Sequence, residues 1–233
     1  MPTIICKLSS LEEITDNIYR VRLTPESDFS FRAGQYLILK ITDSDHRAFS
    51  IASTPIEKDI IELHIGASEY NLYAISAIQH FQSTNYVSVD IPHGHAWLRG
   101  EKVYPLILIA GGTGFSYIRS ILLTALAEQA DRSISLYWGG REKKHLYELD
   151  MLDELAWRYP NLNVHPVLEY PINGFNGRYG TVLNAVMQDY HCLSRHYIYL
   201  AGPVSMVRKA RVFFCTERNA QSSLMFADAF NII

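Results

Sequence analysis

The chain has 233 residues, of which 48% are hydrophobic and 19% are charged, and its formal net charge is −3 at pH 7. This length allows one or two domains with a sizeable core, and the composition excludes a disordered, collagen-like or coiled-coil chain. The slightly acidic balance provides no basic surface for nucleic acid or for an acidic membrane.

The cysteines and the N-terminal residues indicate a cellular compartment. Cys6, Cys192 and Cys215 stand far apart and form neither a CxxC pair nor a zinc-ligand spacing. We interpret them as free thiols in a reducing environment. The N-terminal residues lack the apolar stretch of a signal peptide, and no run reaches the roughly 20 apolar residues of a membrane helix. We therefore expect a soluble, cytoplasmic protein.

Up to about residue 100 the sequence predicts short strands. Apolar and polar residues alternate in several segments, and turn residues such as Gly34 and Pro55 separate them. The predicted strands are Ile18–Leu23, Gln35–Ile41, Ile60–Ile65 and Tyr86–Ile91, and the helix predicted among them is Leu72–Gln82. Regularly spaced short strands favour a small antiparallel barrel, which we assign to a first domain of residues 1–100.

After residue 100 strands alternate with helices. The predicted strands are Leu106–Ala110, Ile134–Trp138, Leu162–Leu168, Tyr197–Ala201 and Leu224–Ala227. The predicted helices are Ser116–Ala130, Leu149–Tyr159, Thr181–Tyr190 and Val204–Cys215. This order predicts a doubly wound α/β domain, residues 101–233, with a parallel sheet and right-handed crossovers.

A glycine-rich turn follows the first buried strand of the second half. Gly111, Gly112, Thr113 and Gly114 lie between that strand and the next helix, which begins near Phe115 and Ser116. Glycines at this place let the backbone approach a pyrophosphate, toward which the helix directs its N–H groups. A tight turn that needs glycine only for its dihedral angles is the alternative. The spacing matches neither GxGxxG nor a P-loop.

Two further segments follow later strands of the same sheet. Gly139 and Arg141 come after the second strand, where an arginine can accept the 2′-phosphate of NADPH. Because Lys143 and Lys144 are close, a solvated charge cluster is an equal alternative. At the end of the fourth strand, Ala201-Gly202-Pro203 can flank whatever the first turn binds.

In the barrel half, Arg47-Ala48-Phe49-Ser50 offers a cation, a ring and a hydroxyl group to a planar polar ligand. The alternative is an ordinary strand with an exposed arginine and a buried phenylalanine, which would have the same sequence.

Two other patterns have simpler explanations. His93 and His95 beside Asp90 could suggest a metal site, but no third ligand is spaced to join them, and we expect none. Gly114-Phe115-Ser116 approaches the hydrolase elbow G-x-S-x-G but lacks its last glycine, so a hydrolase is a weak rival.

Taken in order, these motifs resemble the ferredoxin–NADP reductase superfamily along nearly the whole chain. Its flavin motif Arg-x-Tyr-Ser is similar to Arg47–Ser50, its Gly-Gly-Thr-Gly to Gly111–Gly114, and its Cys-Gly-Pro to Ala201–Pro203. The resemblance implies a flavin-binding antiparallel barrel followed by a pyridine-nucleotide domain.

The resemblance also implies the site residues. The implied flavin-binding residues are Arg47, Ala48, Phe49, Ser50, His64, Ile65, Gly66, Ala67 and Phe230. The implied NAD(P)H-binding residues are Gly111, Gly112, Thr113, Gly114, Phe115, Ser116, Gly139, Arg141, Ala201, Gly202 and Pro203. Ser50 is the implied catalytic residue, as a hydrogen-bond donor to flavin N5. Burial of Phe230 in the domain interface is the alternative to its covering the flavin.

Departures from the motifs refine this expectation. Phe49 lacks the tyrosine hydroxyl, a loss of about 0.5–1.5 kcal/mol, which agrees with the flavin reductase subgroup, where flavin is a substrate. Ala201 replaces the motif's cysteine, and no four-cysteine cluster for iron and sulfur exists.

We therefore expect a monomer that reduces riboflavin, FMN or FAD with NADH or NADPH by hydride transfer to N5. Ferric complexes, oxygen, a luciferase or another monooxygenase could then accept electrons from the released flavin. The alternative is a tight flavoprotein that passes electrons to a partner protein and would be yellow when purified.

Overall fold

The computed structural model describes residues 2–101, 104–129 and 131–231. They form two compact units. The first contains the residues up to Leu98 together with Arg119–Thr124, and the second contains Arg99–Ile118 and the residues from Ala125 onward. The predicted division at residue 100 lies close to this boundary, but it gave no sign that Arg119–Thr124 belongs with the first unit. None of the described helices is long and apolar enough to cross a membrane.

The first unit is an antiparallel barrel. Its elements are β1 Thr3–Thr15, β2 Ile18–Pro25, β3 Tyr36–Lys40, β4 His46–Ser50, β5 Ile61–Gly66, α1 Leu72–Ser83 and β6 Tyr86–His93. The strands form one sheet in the order β4-β3-β6-β1-β2-β5, and a bridge between Ile51 and Leu63 joins its two ends. The predicted antiparallel fold of this half is confirmed.

Alternation along the strands builds the barrel core. Val21, Leu23, Leu37 and Leu39 are fully buried, and α1 adds the side chain of Phe81. Burial of apolar area is the main stabilising term in such a core. The helix Leu72–Ser83 agrees with the predicted one and begins with Asn71, whose side chain accepts a hydrogen bond from the N–H of Ala74.

The second unit is a six-stranded parallel sheet with helices. Its elements are β7 Leu106–Gly111, α2 Phe115–Glu128, β8 Ile134–Gly140, α3 Leu149–Arg158, β9 Leu162–Leu168, β10 Arg178–Tyr179, α4 Val182–Asp189, β11 Tyr197–Ala201, α5 Val204–Arg218 and β12 Met225–Phe226. All neighbouring pairs are parallel, as predicted. The two-residue strand β10 was not predicted, and Ala130, the predicted end of the first helix, lies outside the described residues.

The strand order places a switch point between β7 and β11. The sheet runs β10-β9-β8-β7-β11-β12, so the chain moves outward from β7 first in one direction and then in the other. Loops that leave neighbouring strands in opposite directions open a crevice at the carboxyl ends, which is where ligands bind in this kind of sheet. The glycine turn and Gly202 follow these two strands.

Candidate active site

The glycine turn after β7 combines a fixed backbone with open space. Gly112–Gly114 form one turn of 3₁₀ helix, and Gly112 has a φ of +53°. The indole Nε1 of Trp138 donates to the carbonyl oxygen of Gly112 at 3.0 Å. Beyond its chain neighbours, no heavy atom of the described residues lies within 4 Å of where a Cβ of Gly112 would be. A ligand can therefore approach the main chain here.

Gly114 serves a different purpose in the same turn. A Cβ at this residue would lie 2.4 Å from the carbonyl oxygen of Ala201, a distance that no side chain tolerates. Gly114 is thus required for close packing of the turn against the end of β11. Gly112, with its positive φ, fits the alternative of a tight turn that needs glycine for its dihedral angles, whereas Gly114 has a helical φ of −56° and is needed for close packing. The approach of a ligand to Gly112 stays a prediction.

The loop after β11 lies directly beside the glycine turn. Ala201 pairs with Ala110 at the ends of their strands. Gly202 has a φ of +150°, and a Cβ there would lie 3.1 Å from the Cα of Gly111. Pro203 then begins the turn into α5. The structure therefore brings Gly111–Gly114 together with Ala201–Pro203 at the switch point, as expected.

The side chains of the first two residues of α2 are buried. The ring of Phe115 is fully buried and stacks on Trp138 with 3.8 Å between ring centroids. Ser116 is only 3% exposed. Their side chains belong to the packing, so only their main-chain groups can serve a ligand. A buried Ser116 also gives no support to the hydrolase interpretation, since a nucleophile must reach its substrate.

The N-cap residue of α2 is Gly114, which has no side chain to cap the helix. The N-terminus of this helix carries partial positive charge from its N–H groups. A phosphate beside Gly112 would lie at that end of the helix. This local geometry suits an anion.

The third segment predicted to bind the nucleotide lies at the end of β8. Gly139 pairs with Gly111, and a Cβ there would lie 2.5 Å from Cγ1 of Val182, so this glycine admits α4. The side chain of Arg141 is 75% exposed, and its Nε lies 4.0 Å from Glu169 Oε2. Such an exposed pair is weak, so the guanidinium is available to an incoming phosphate.

In the first unit, strand β4 presents its residues on two faces. Phe49 lies opposite Leu37 and Arg47 opposite Leu39, so these side chains share the inner face. The side chains of Ala48 and Ser50 point to the other face. The N–H of Ala48 donates to Tyr73 Oη at 2.5 Å, on the edge of β4 that faces away from β3. By alternation the N–H of Ser50 points to that same edge.

The edge of β4 opens toward β5. The two strands meet at the Ile51–Leu63 bridge and at the bond from the Ala52 N–H to the carbonyl oxygen of Glu62, which is 2.7 Å long. Within the described residues no further β4–β5 pairing is found. The strands therefore separate beyond the bridge, beginning at Ser50. An opening between two strand edges can accept a flat, hydrogen-bonding ring.

Two of the residues predicted to line the flavin ring from β5, His64 and Ile65, have buried side chains, which leaves their main chain for such a contact. The side chain of His64 is fully buried, with Nε2 3.0 Å from Glu62 Oε1. Ile65 points into the barrel core. Gly66 and Ala67 close the strand, and the N–H of Ala67 bonds to the carbonyl oxygen of Asn17.

Glu62 on β5 is the centre of a cluster of charged side chains. Glu62 is 3.5 Å from Arg119 Nη1 and accepts a hydrogen bond from Arg22 Nε at 2.7 Å. Burial alone would raise the pKa of Glu62, but the hydrogen bond with His64 and the nearby Arg119 outweigh it and lower the pKa to about 2. Glu62 is therefore an anion at neutral pH and interacts with Arg22 on β2 and with Arg119.

Two residues of the pattern considered for a metal site, Asp90 and His93, contact other side chains. Asp90 forms an ion pair with Lys40 at 3.0 Å, and Thr3 also donates to it. His93 stacks on Tyr36 with 5.5 Å between centroids, and burial lowers the pKa of its ring. The expected absence of a metal at this pattern stays a prediction.

Comparisons with known proteins agree with this geometry. Residues 108–212 match the oxidoreductase NAD-binding domain family. The chain is 42% identical to an NAD(P)H-flavin reductase of Vibrio harveyi over 99% of its own length and all of that protein. It is 41% identical to an NAD(P)H-flavin reductase of Aliivibrio fischeri, with 98% of each covered. The chain belongs to the NAD(P)H-flavin reductase family.

A solved structure supports the fold assigned to this member of the NAD(P)H-flavin reductase family. A cytochrome P450 reductase from Amycolatopsis superposes with a TM-score of 0.87 and 26% identity, over 97% of this chain and 69% of that one. The fold class and the family resemblance drawn from the motifs are thereby confirmed.

Two side chains that contact Arg47, those of Asp45 and Tyr73, were not predicted from the sequence. Asp45 binds Arg47 through two contacts, one of them 2.8 Å from Nη2 to Oδ2. Tyr73 lies under the guanidinium of Arg47, 4.4 Å from Cζ to the ring centroid. Tyr73 stands on the predicted helix α1, and no spacing in the sequence indicated that it would reach β4.

Phe230 packs within the second unit. Its ring joins the core beside α5, and Arg211 lies over it at 4.9 Å. A contact between Phe230 and flavin stays a prediction.

Proposed function

We propose that this chain reduces free flavin with NADH or NADPH, that the hydride passes to flavin N5, and that the reduced flavin leaves as a product. The observation that carries this proposal is the full-length match to NAD(P)H-flavin reductases of two species. The open turn at Gly112 and the separation of β4 from β5 at Ser50 supply surfaces suited to the two ligands.

In this proposal the nucleotide lies across the switch point of the parallel sheet. The main chain of Gly111–Gly114 and the start of α2 would bind its pyrophosphate, and Ala201–Pro203 would contact it from the side. Arg141 would meet the 2′-phosphate of NADPH. Because that side chain pairs only weakly with Glu169, we expect both NADH and NADPH to be used.

The flavin would enter the opening between β4 and β5. Its ring supplies the redox chemistry, and the protein must hold the ring and place a donor at N5. Ser50 stands at the point where the two strands separate, so its hydroxyl or N–H is our candidate for that donor. His64–Ala67 would line the ring through their main chain, and Phe49 through its ring edge.

One experiment tests the proposal directly. The oxidation of NADH and of NADPH is measured by absorbance with and without added riboflavin. We expect consumption that depends on free flavin and saturates with it, from a protein that is colourless when purified. A yellow protein with one bound flavin per chain would instead support the electron-transfer subunit, and no oxidation under any condition would contradict both.

Several finer properties stay proposals. We propose a cytoplasmic monomer, consistent with three free cysteines in the structure. We further propose that the reduced flavin serves ferric complexes, oxygen, or a luciferase or other flavin-dependent monooxygenase that associates only transiently. Size-exclusion chromatography tests the first property, and reduction of ferric complexes in the coupled assay tests the second.

A further inference from the structure

The first unit contains a cleft that the proposed reaction does not use. The cleft has a volume of about 480 Å³, and its lining comes from the segment before β3, the end of β6 and the loop after β6. Small-molecule sites commonly have volumes of about 300–1,000 Å³. The cleft lies at β3 and β6, across β4 from the opening proposed for flavin. It is therefore a separate place on the barrel.

The side chain of Gln35 joins the two sides of this cleft. Its Oε1 accepts a hydrogen bond from the main-chain N–H of Arg32 at 2.7 Å, and its Nε2 donates to the carbonyl oxygen of Gly94 at 3.0 Å. The N–H of Leu98 also donates to the carbonyl oxygen of Ala33 at 2.9 Å. These bonds tie the segment before β3 to the loop after β6, so the walls of the cleft are in place without a ligand.

The cleft combines apolar walls with one cation. Phe31, Pro92 and Trp97 contribute apolar surface. The guanidinium of Arg32 lies over the Trp97 ring, with 4.0 Å from Cζ to the ring centroid. Among the described residues no carboxylate pairs with Arg32, and none of those that line the cleft is acidic.

The contact with Trp97 prepares Arg32 to bind an anion. An arginine that stacks through its flat face keeps the N–H groups at its rim available to other partners. The ring also restrains a long side chain, so less conformational freedom is lost when a ligand binds.

We propose that this cleft binds a small aromatic carboxylate. The N–H groups of Arg32 hold the carboxylate, because a planar guanidinium donates two parallel hydrogen bonds to its two oxygens. The aromatic ring of the ligand packs against Trp97 and Phe31, where offset or edge-to-face contacts between rings are favourable. An aliphatic anion loses the ring contacts, and a neutral ring loses the ion pair, so the preferred ligand carries both features.

Two ligands that differ in charge test the proposal. Isothermal titration calorimetry on the whole chain, without flavin or nucleotide, gives Kd for a naphthoate and for the corresponding neutral naphthamide. We expect the naphthoate to bind about fivefold more tightly, the effect of one exposed ion pair. Arg32→Gln should make the two Kd values equal. Arg211→Gln is the matched control and should keep the preference, because Arg211 is also an exposed arginine over an aromatic ring.

Nuclear magnetic resonance locates the ligand. The chain has three tryptophans and therefore three indole N–H signals, which Trp→Phe substitutions assign. The naphthoate should shift the signal of Trp97 and leave that of the exposed Trp157 in place.

Four results would each overturn the proposal. They are no binding of naphthoate, equal Kd values for both ligands in the wild type, a preference that survives Arg32→Gln, and an unshifted Trp97 signal. None of these measurements depends on flavin or NAD(P)H, so they stand whether or not the proposed reaction is correct.

Discussion

Arg119 on α2 donates a hydrogen bond from Nη1 to the carbonyl oxygen of Ala52 at 3.0 Å, two residues after Ser50. The adjacent Ser120 hydroxyl donates to the carbonyl oxygen of Ser53 at 2.7 Å. The main chain that follows β4 is therefore held by side chains of a distant helical segment. This anchoring fixes the end of the strand that carries Ser50.

Replacement of Arg119 by methionine should loosen that anchor. The change leaves the carbonyl group of Ala52 without this donor and removes one cation from buried Glu62, which keeps Arg22 and His64 as partners. We expect a loss of about 1–3 kcal/mol in the free energy of unfolding. Urea unfolding at pH 7 measures it.

Arg158→Met is the control for the Arg119 variant. Arg158 is an exposed arginine on α3, so its replacement should change stability by no more than about 0.5 kcal/mol. If both variants unfold at the same urea concentration, Arg119 does not anchor the strand.

Glu62 should give the protein a specific sensitivity to acid. Its pKa is about 2 in the folded protein against an ordinary value of 4.5. Because the folded value is the lower one, the stabilisation is complete above pH 4.5 and is lost as the pH falls from 4.5 toward 2. The shift corresponds to a contribution on the order of 3 kcal/mol.

The test compares Glu62→Gln with the wild type in unfolding experiments from pH 6 to pH 2.5, a range chosen to bracket most of the window of about 4.5 to 2. The variant should be less stable at pH 6, and the difference should shrink as the pH falls. Glu57→Gln, a change at an exposed carboxylate, should run parallel to the wild type. A constant difference between Glu62→Gln and the wild type would show that Glu62 is not the group that titrates.

The parallel sheet was predictable because its strands are buried on both faces and read as continuous apolar runs. Residues 106–110 of β7 are at most 1% exposed, and the sequence marks this strand without ambiguity. The opposite case is β1, the longest strand, which the alternation did not reveal. Register shifts between Leu8 and Ser10 and between Glu13 and Thr15 interrupt its period of two.

The candidate site was predictable where it depends on local chemistry and not where it depends on side chains from distant elements. Glycines after a buried strand indicate a phosphate turn through their own backbone. The pairing of Asp45 with Arg47 and the position of Tyr73 depend on how α1 packs against β4. Nothing in the spacing of these residues along the chain encodes that packing.

The hydroxyl of Ser50 should matter to hydride transfer more than to flavin binding. Ser50→Ala would remove the donor that we propose for N5, where negative charge develops, and such a donor is worth roughly 100-fold in rate. Its loss should weaken flavin binding by less than about tenfold. Stopped-flow reduction of riboflavin by NADPH gives the rate, and fluorescence titration gives Kd.

Ser44→Ala provides the comparison for Ser50→Ala. Ser44 lies in the exposed loop before β4, and its replacement should change neither quantity. Equal effects of Ser50→Ala on the rate and on Kd would assign Ser50 to binding alone. An unchanged rate would remove its side chain from the mechanism.

The two outer glycines of the 112–114 turn should lose stability to different degrees when replaced by alanine. In Gly114→Ala the new Cβ meets the carbonyl oxygen of Ala201, a backbone atom that cannot move aside, so we expect a loss of about 3 kcal/mol in stability. In Gly112→Ala the described surroundings are open, and the positive φ costs only about 1–2 kcal/mol.

For nucleotide binding we expect the larger effect from Gly112→Ala. The methyl group of Gly112→Ala enters the space that we assign to the pyrophosphate. A displaced phosphate contact costs roughly 1.4 kcal/mol, so KM for NADH and NADPH should rise about tenfold. KM for flavin should stay constant. Urea unfolding and steady-state kinetics on both variants measure the two effects. If Gly112→Ala leaves the nucleotide KM unaltered, the pyrophosphate does not lie against this turn, and Gly112 is there for its backbone angle alone.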